Sequence, residues 1–154
     1  MEKLVELSIK NAPDKTYTRY AMTPENIIQE YLSALEKSDI NKISQLFKED
    51  AIVVSPLYGE IKASSFYPEL FEDTLASKIT LKDIYYSSSV KNRVAAHFVY
   101  DWKMRNESYV EFECMDVFEL DKHSEKIERL TIIYDSRQTR DEFDNLKKNN
   151  ITMP

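Results

Sequence analysis

Glycine is almost absent from this chain: Gly59 is the only one in 154 residues. Loops that cradle phosphates, and the fingerprints that hold dinucleotides, need several glycines so that the backbone can approach the ligand closely. ATP, GTP and a Rossmann-bound nicotinamide are therefore disfavoured. A nucleophile-elbow serine lacks the glycines that build its turn, which leaves a serine triad unsupported. Cysteine is equally scarce. Cys114 stands alone, so no intrachain disulfide is possible, and it reads as a small buried hydrophobe rather than a nucleophile. The two histidines, His97 and His123, form no His-x-x-x-His spacing, and no Cys-x-x-Cys exists. No metal and no cofactor are expected. No apolar run approaches the length of a membrane span, and the opening Met1-Glu2-Lys3-Leu4-Val5-Glu6 is too short and too acidic for a signal peptide. A cytoplasmic location follows as the default. Cations are in deficit, 21 Lys and Arg against 27 Asp and Glu, for a net charge of −6. That balance argues against nucleic-acid phosphates and anionic membranes as partners.

What remains is the composition of a globular domain, 42% hydrophobic and 31% charged. A chain of this size buries roughly 70% of its unfolded surface, enough for one core. Residues 1–22 read as an N-terminal extension, 23–148 as a single domain and 149–154 as a tail. In the extension Val5, Leu7 and Ile9 alternate with polar residues as a short strand would, and Asn11-Ala12-Pro13-Asp14 reads as a turn. Thr23-Pro24 supplies an N-cap and first residue for a helix whose apolar stripe is Ile27, Ile28, Tyr31, Leu32 and Leu35. Ser38-Asp39 stops that helix and caps a second, with Ile40, Ile43, Leu46 and Phe47 buried. Ala51 to Val54 is a short strand, and Gly59 serves a turn. Ser64 or Ser65 caps a third helix, with Pro68 in its first turn and Phe66, Leu70, Phe71 and Leu75 on its apolar side.

From Lys78 onward the period changes to two. Strands are expected over Ile79–Ser87, Arg93–Arg105, Tyr109–Asp121 and Ile127–Asp135, and a short helix over Asp141–Lys148. Phe98, Tyr100 and Trp102 share one face of the second of these strands. On the third, Val110, Phe112, Cys114, Phe118 and Leu120 share a face with one acid, Asp116. A carboxyl group there must be hydrogen-bonded, paired or protonated. Helices followed by long strands make an α+β domain, expected here as a cone-shaped, curved antiparallel sheet wrapped around three N-terminal helices, with an apolar interior for a small molecule.

Ile27-Ile28-Gln29-Glu30-Tyr31-Leu32-Ser33-Ala34-Leu35-Glu36-Lys37-Ser38-Asp39, followed by Leu46-Phe47-Lys48-Glu49-Asp50-Ala51, resembles the start of the nuclear transport factor 2-like superfamily. That superfamily includes ketosteroid isomerases and SnoaL-like polyketide cyclases. The resemblance covers residues 23–140 and implies the fold; function varies widely on this scaffold. It matches Tyr31 to the isomerases' oxyanion-hole tyrosine and Asp116 to their protonated aspartic acid, which together donate to a developing enolate. It places Leu130, Ile132 and Tyr134 on the cavity wall. The isomerases' general base is matched by Ser55 before Pro56, and a serine hydroxyl cannot take a proton from carbon unaided. Ketosteroid isomerase activity is therefore not expected. Tyr134-Asp135 followed by Arg137 is similar to the ending of SnoaL-like sequences, making Asp135 a substitute acid or base if the strand bends toward the cavity.

The expected site thus comprises Tyr31, Asp116 and Asp135 as candidate catalytic residues. The expected ligand wall is Ser55, Tyr58, Phe66, Phe98, Tyr100, Trp102, Phe112, Cys114, Leu130, Ile132 and Tyr134. Three readings stay open: a cofactor-free isomerase, cyclase or hydratase, a non-catalytic small-molecule binder, or a protein-interaction module. The mixed outer sheet face, with Val99, Tyr109, Met115, Val117 and Ile133, together with the resemblance, points to a homodimer across that face.

Overall fold

Thr23 opens the first helix as its sequence predicts, its hydroxyl accepting from the Asn26 N–H at 3.2 Å with Pro24 at the first helical position. In this computed structural model, which describes residues 6–7, 19–20, 22–123 and 125–152, that helix is α1 (Pro24–Lys37). Ile27, Ile28, Tyr31, Leu32, Ala34 and Leu35 are its buried face. Ser38 ends it in the left-handed region, at φ 52°, and Asp39 caps α2 (Ile40–Leu46), accepting from the Lys42 N–H at 3.1 Å. One dipeptide thus stops one helix and starts the next. Phe47, expected on α2, begins the strand that follows instead.

Ahead of these, β1 (Glu6–Leu7) pairs antiparallel with β2 (Arg19–Tyr20) as a separate two-stranded sheet. The other expected strand residues, Val5 and Ile9, and the turn at Asn11-Ala12-Pro13-Asp14 lie outside the described residues. β3 (Phe47–Ser55) is longer than expected and hairpins into β4 (Gly59–Lys62), which the sequence reading omitted. Gly59 sits at φ 77°, the conformation glycine adopts without steric cost. Because β4 runs straight into α3 (Ala63–Asp73), the helix starts at Ala63 rather than at the Ser64–Ser65 cap. Pro68 therefore falls inside the helix, beyond its first turn, at the cost of one intrahelical N–H.

The long strands follow as β5 (Thr74–Tyr86), β6 (Arg93–Met104), β7 (Tyr109–Leu120) and β8 (Ile127–Ile133). On β6 and β7 the predicted faces hold: Val94, Ala96, Phe98, Tyr100, Trp102 and Met104 are buried, as are Val110, Cys114, Asp116, Phe118 and Leu120. The chain closes with α4 (Arg137–Thr152), longer than the helix expected over 141–148.

The expected cone is not what forms. The six strands lie in one open, mixed sheet of order β4-β3-β8-β7-β6-β5, with free edges at β4 and β5. The all-antiparallel expectation fails at β3, which pairs parallel with β8. Period-two alternation reports which face of a strand is buried but carries no information on which strand lies beside it. The long route from β3 through α3 and β5–β7 is a crossover, and it brings β8 back in the same direction. α1 is tied to the β5 edge: the Glu36 carboxylate accepts the Ile79 N–H at 3.1 Å, and its carbonyl accepts the Ser77 hydroxyl at 3.3 Å. An otherwise open edge is thereby partly covered.

The face assignment on β8 is testable. Leu130 is fully buried and Glu128 exposed. Leu130→Ala should lower the unfolding free energy by about 2–5 kcal/mol, and Glu128→Ala should change it by no more than about 0.5 kcal/mol, measured by urea denaturation. The reverse order would contradict the assigned face.

Candidate functional site

Between the buried face of the sheet and the helices lies a cavity of about 40 Å³. α1 contributes Tyr31 and Leu35, and α3 contributes Phe66 and Leu70. The end of β3 and the turn after it contribute Ser55, Leu57 and Tyr58. Phe98, Tyr100 and Trp102 come from β6, and Phe112, Cys114 and Asp116 from β7. Ile132 on β8 and Tyr134 beyond it complete the wall. Alternation places the strand residues there, because every second side chain of β6 and β7 faces the helices. Eight of the 15 lining residues are aromatic. Tyr31, Phe98, Trp102, Cys114 and Asp116 are buried, whereas Leu57, Tyr58, Phe112, Ile132 and Tyr134 are half-buried, so the polar end of the cavity is its deep end.

Asp116, only 1% exposed, is paired across the sheet with Ala96 and Ile132. Burial pushes its carboxyl up to about 7; hydrogen bonding from Cys114 and then Tyr31 draws it partway back. The Cys114 thiol donates to its Oδ1 at 3.1 Å. Burial, with the Asp116 charge beside it, raises the Cys114 thiol far above its ordinary value, so it stays a thiol and not a nucleophilic thiolate. The Tyr31 hydroxyl lies 2.8 Å from that of Tyr67. A phenol has one proton, so when Tyr31 donates to Asp116, Tyr67 donates to Tyr31. Burial also raises both phenols well above their ordinary value. The result is a short proton-bearing chain, Tyr67–Tyr31–Asp116–Cys114, ending on the one acid in the cavity. Among the described residues no Lys, Arg or His lines this cavity.

Tyr31 and Asp116 are thus brought together as expected. Of the expected wall, Ser55, Tyr58, Phe66, Phe98, Tyr100, Trp102, Phe112, Cys114, Ile132 and Tyr134 all line the cavity, and Leu130 does not, being fully buried in the core. The Ser55 hydroxyl accepts the N–H groups of Leu57 and Tyr58, each at 3.2 Å, and so shapes the turn. Asp135 is not part of the cavity. β8 ends at Ile133, and Asp135 is exposed, paired with Arg137 at 2.8 Å, which holds its carboxyl below the usual carboxylate range. The required bend toward the cavity does not occur, because the chain turns there into α4. His97 lies on the outer face, 3.6 Å from Glu113, and among the described residues no cluster of His, Cys, Asp and Glu is arranged to hold a metal.

Sequence reasoning missed Leu35, Leu57, Leu70 and Tyr67. Tyr67 had a signal, since it falls four residues after Ala63 and three before Leu70 on the apolar stripe of α3. It also missed the group that seats α4 at the cavity rim. Asp73, 2% exposed, accepts from the Tyr58 hydroxyl at 2.7 Å and Lys147 Nζ at 2.6 Å, with Arg105 Nη2 at 3.5 Å. The rings of Phe143 and Tyr58 meet edge-on at 5.0 Å, and Arg140 donates to the Pro56 carbonyl at 2.6 Å. No local pattern signals partners this far apart in the chain.

Asp116 links stability to pH. Its folded pKa of about 7 lies above the ordinary aspartate value of 3.8, so the folded state holds an extra proton between them. Stability from this group is present in full below pH 4 and is lost as pH rises to about 7, with a slope approaching about 1.4 kcal/mol per pH unit. Asp116→Asn should flatten that slope. The check is the difference in unfolding free energy between the wild type and the variant from pH 4.5 to 8; a pH-independent difference would place the carboxyl in contact with water.

No protein-family model matches the chain, and no curated protein does. Solved structures do. An NTF2-like protein of unknown function from Cytophaga hutchinsonii superposes with a TM-score of 0.60 at 19% identity, covering 79% of this chain and 98% of that one. A putative SnoaL-like polyketide cyclase from Shewanella denitrificans gives 0.64 at 11% identity, covering 79% and 96%. A protein with a ketosteroid isomerase-like fold from Catenulispora acidiphila, solved in complex with trimethylamine, gives 0.61 at 17% identity, covering 73% and 86%. At these identities the likeness is one of fold: the chain has the fold that these NTF2-like, SnoaL-like and ketosteroid isomerase-like proteins share.

Proposed function

We propose that the chain binds a small, largely apolar ligand in the cavity between sheet and helices, with Tyr31 and Asp116 meeting the ligand's one polar group. The observation that carries this reading is the buried Asp116 carboxyl on the wall of an otherwise apolar, aromatic cavity. A concave apolar site with a few converging polar groups, one of them strongly shifted, is the usual form of a small-molecule site. Size narrows the ligand. A cavity that holds benzene measures on the order of 150 Å³, so a cavity of about 40 Å³ suits something smaller, or a ligand that displaces the half-buried rim. The trimethylamine complex of the Catenulispora acidiphila relative supports a ligand of that scale.

Acid–base chemistry of the isomerase or cyclase type is the extension of this reading. A carboxyl that titrates near pH 7 is well matched to giving and taking a proton at neutral pH. In this reading Asp116 carries the proton and Tyr31 stabilises charge on the ligand. Ser55 has no base to activate it, and Asp135 is turned away, so a two-residue split between proton abstraction and charge stabilisation is not what these side chains support.

Trp102 is the only tryptophan and lines the cavity, so its fluorescence reports occupancy. Butanone should titrate saturably, and Tyr31→Phe should weaken it by up to about tenfold, the worth of one hydrogen bond. A wild type that shows no saturation, or an unchanged affinity in Tyr31→Phe, would contradict the proposed polar end.

The outer sheet face supports a second reading, self-association. Tyr109 and Ile133 are 59% and 53% exposed there, with Met115 and Val117 half-buried. Ion pairs such as Lys82–Glu113 at 2.8 Å and Arg93–Glu119 at 3.0 Å share the face, so a homodimer would join mixed rather than purely apolar surfaces. Sedimentation velocity at micromolar concentration should show a dimer that Ile133→Lys converts to monomer; a monomeric wild type would rule the face out.

A further inference from the structure

We infer that the polar group of the cavity's ligand is a cation: a small alkylammonium held between the aromatic rings and the Asp116 carboxylate. This rests on the proposal that the cavity is the binding site, and goes further by naming the ligand's chemistry.

Three observations carry it. First, Asp116 is a buried acid without a counter-ion. Its hydrogen-bonding neighbours are the Cys114 thiol and the Tyr31 hydroxyl, both uncharged, and no cationic side chain lines the cavity. Without an opposite charge beside it the buried carboxyl holds its proton to near neutrality, and a cation in the cavity would favour its charged form. Asp73, the other buried acid, has Lys147 at 2.6 Å, so this fold does pair a buried carboxylate where no ligand is to meet it.

Second, the walls are largely aromatic, eight of the 15 lining residues carrying rings. Tyr31, Phe98, Tyr100, Trp102 and Tyr134 surround the space with Phe112, whose ring is nearly parallel to Tyr100 (7°, 5.3 Å between centroids). Aromatic faces carry the negative end of a quadrupole and attract alkylammonium groups, most strongly where water is excluded. An anionic ligand would meet those rings and a carboxyl group, with no cation among the described lining residues to receive it. Third, the space is small, on the scale of a few heavy atoms.

The titratable groups facing Asp116 keep the electrostatics simple. Tyr31 on α1, Tyr67 on α3 behind it, Tyr100 on β6, Cys114 on β7 and Tyr134 after β8 are all raised above their ordinary values, by burial first, and stay neutral from pH 5 to 8. Arg140 on α4 bears on Tyr134 at the rim, where its guanidinium is bonded to the Pro56 carbonyl. Asp116 is thus the group whose charge changes in that range. Binding a cation must expel its proton, whereas binding a neutral molecule need not.

The test compares tetramethylammonium chloride with tert-butanol, which has the same number of heavy atoms and no charge, using Trp102 fluorescence at pH 5.5 and 8. Tetramethylammonium should bind the more tightly of the two, with an affinity that rises by up to about tenfold per pH unit below pH 7 and then levels off. Asp116→Asn should weaken it at pH 8 by about tenfold or more, with little effect on tert-butanol. Phe98→Leu, which keeps the acid and removes one ring, should weaken it about threefold; this second variant decides the matter if Asp116→Asn does not fold. Saturable binding of tert-butanol without preference for tetramethylammonium, or a tetramethylammonium affinity indifferent to pH, would overturn the cation and leave the cavity reading standing. Saturation by neither probe would overturn both.

Discussion

Keeping one carboxyl group out of water is the constraint on which the centre of this molecule depends. Asp116 occupies the middle of an apolar strand face, where its charged form is strongly disfavoured. The fold does not answer with a salt bridge. It answers with neutral donors, a thiol from the same strand and a phenol from α1, and lets the acid hold its proton to near neutrality. Tyr31 could not serve in this way without Tyr67 behind it, because a buried phenol needs partners of its own. Two helices and a strand are therefore held in register by a chain of hydrogen bonds that leads to a single proton.

The second buried acid makes the contrast. Asp73 at the end of α3 is ringed by Tyr58, Lys147 and Arg105, and it works as a structural joint. It draws α4 onto the rim of the cavity and fixes the Tyr58 ring that lines it. One acid is satisfied by the protein's own cations and shapes the wall; the other is left facing the space that the wall encloses. Among the described residues no buried side-chain nitrogen or oxygen lacks a partner. The lone carboxylate character of Asp116 is thus a matter of missing charge, not of missing hydrogen bonds.

The solved structures that superpose on this chain share its scaffold and little sequence, and they range from a putative polyketide cyclase to a protein of unknown function. A scaffold of this kind sets where a cavity lies; the residues that line it decide what enters. Here the lining sets Tyr31 and Asp116 among aromatic rings, with Ser55 engaged in shaping its own turn.

Much was legible from the sequence alone. Helix starts at Thr23 and Asp39 and the buried faces of α1, β6 and β7 follow from caps and periodicities, which are local, while the resemblance is what singles out Tyr31 and Asp116 together. Other features depended on what the chain meets in space. The parallel pairing of β3 with β8 made the sheet mixed, and the sheet stays open at β4 and β5 where a cone was expected. The end of β8 at Ile133 sent Asp135 to solvent and Arg137. The junction of β4 with α3 moved Pro68 inside a helix, and partners as distant as Asp73 and Lys147 seated α4. Period and capping are written into neighbouring residues, so the sequence by itself determined the buried faces of α1, β6 and β7, whereas Ile40 and Leu75, expected on buried faces, are exposed. Which strands lie side by side, and which buried acid finds a cation, only the tertiary structure decided, because both turn on contacts between residues far apart in the chain.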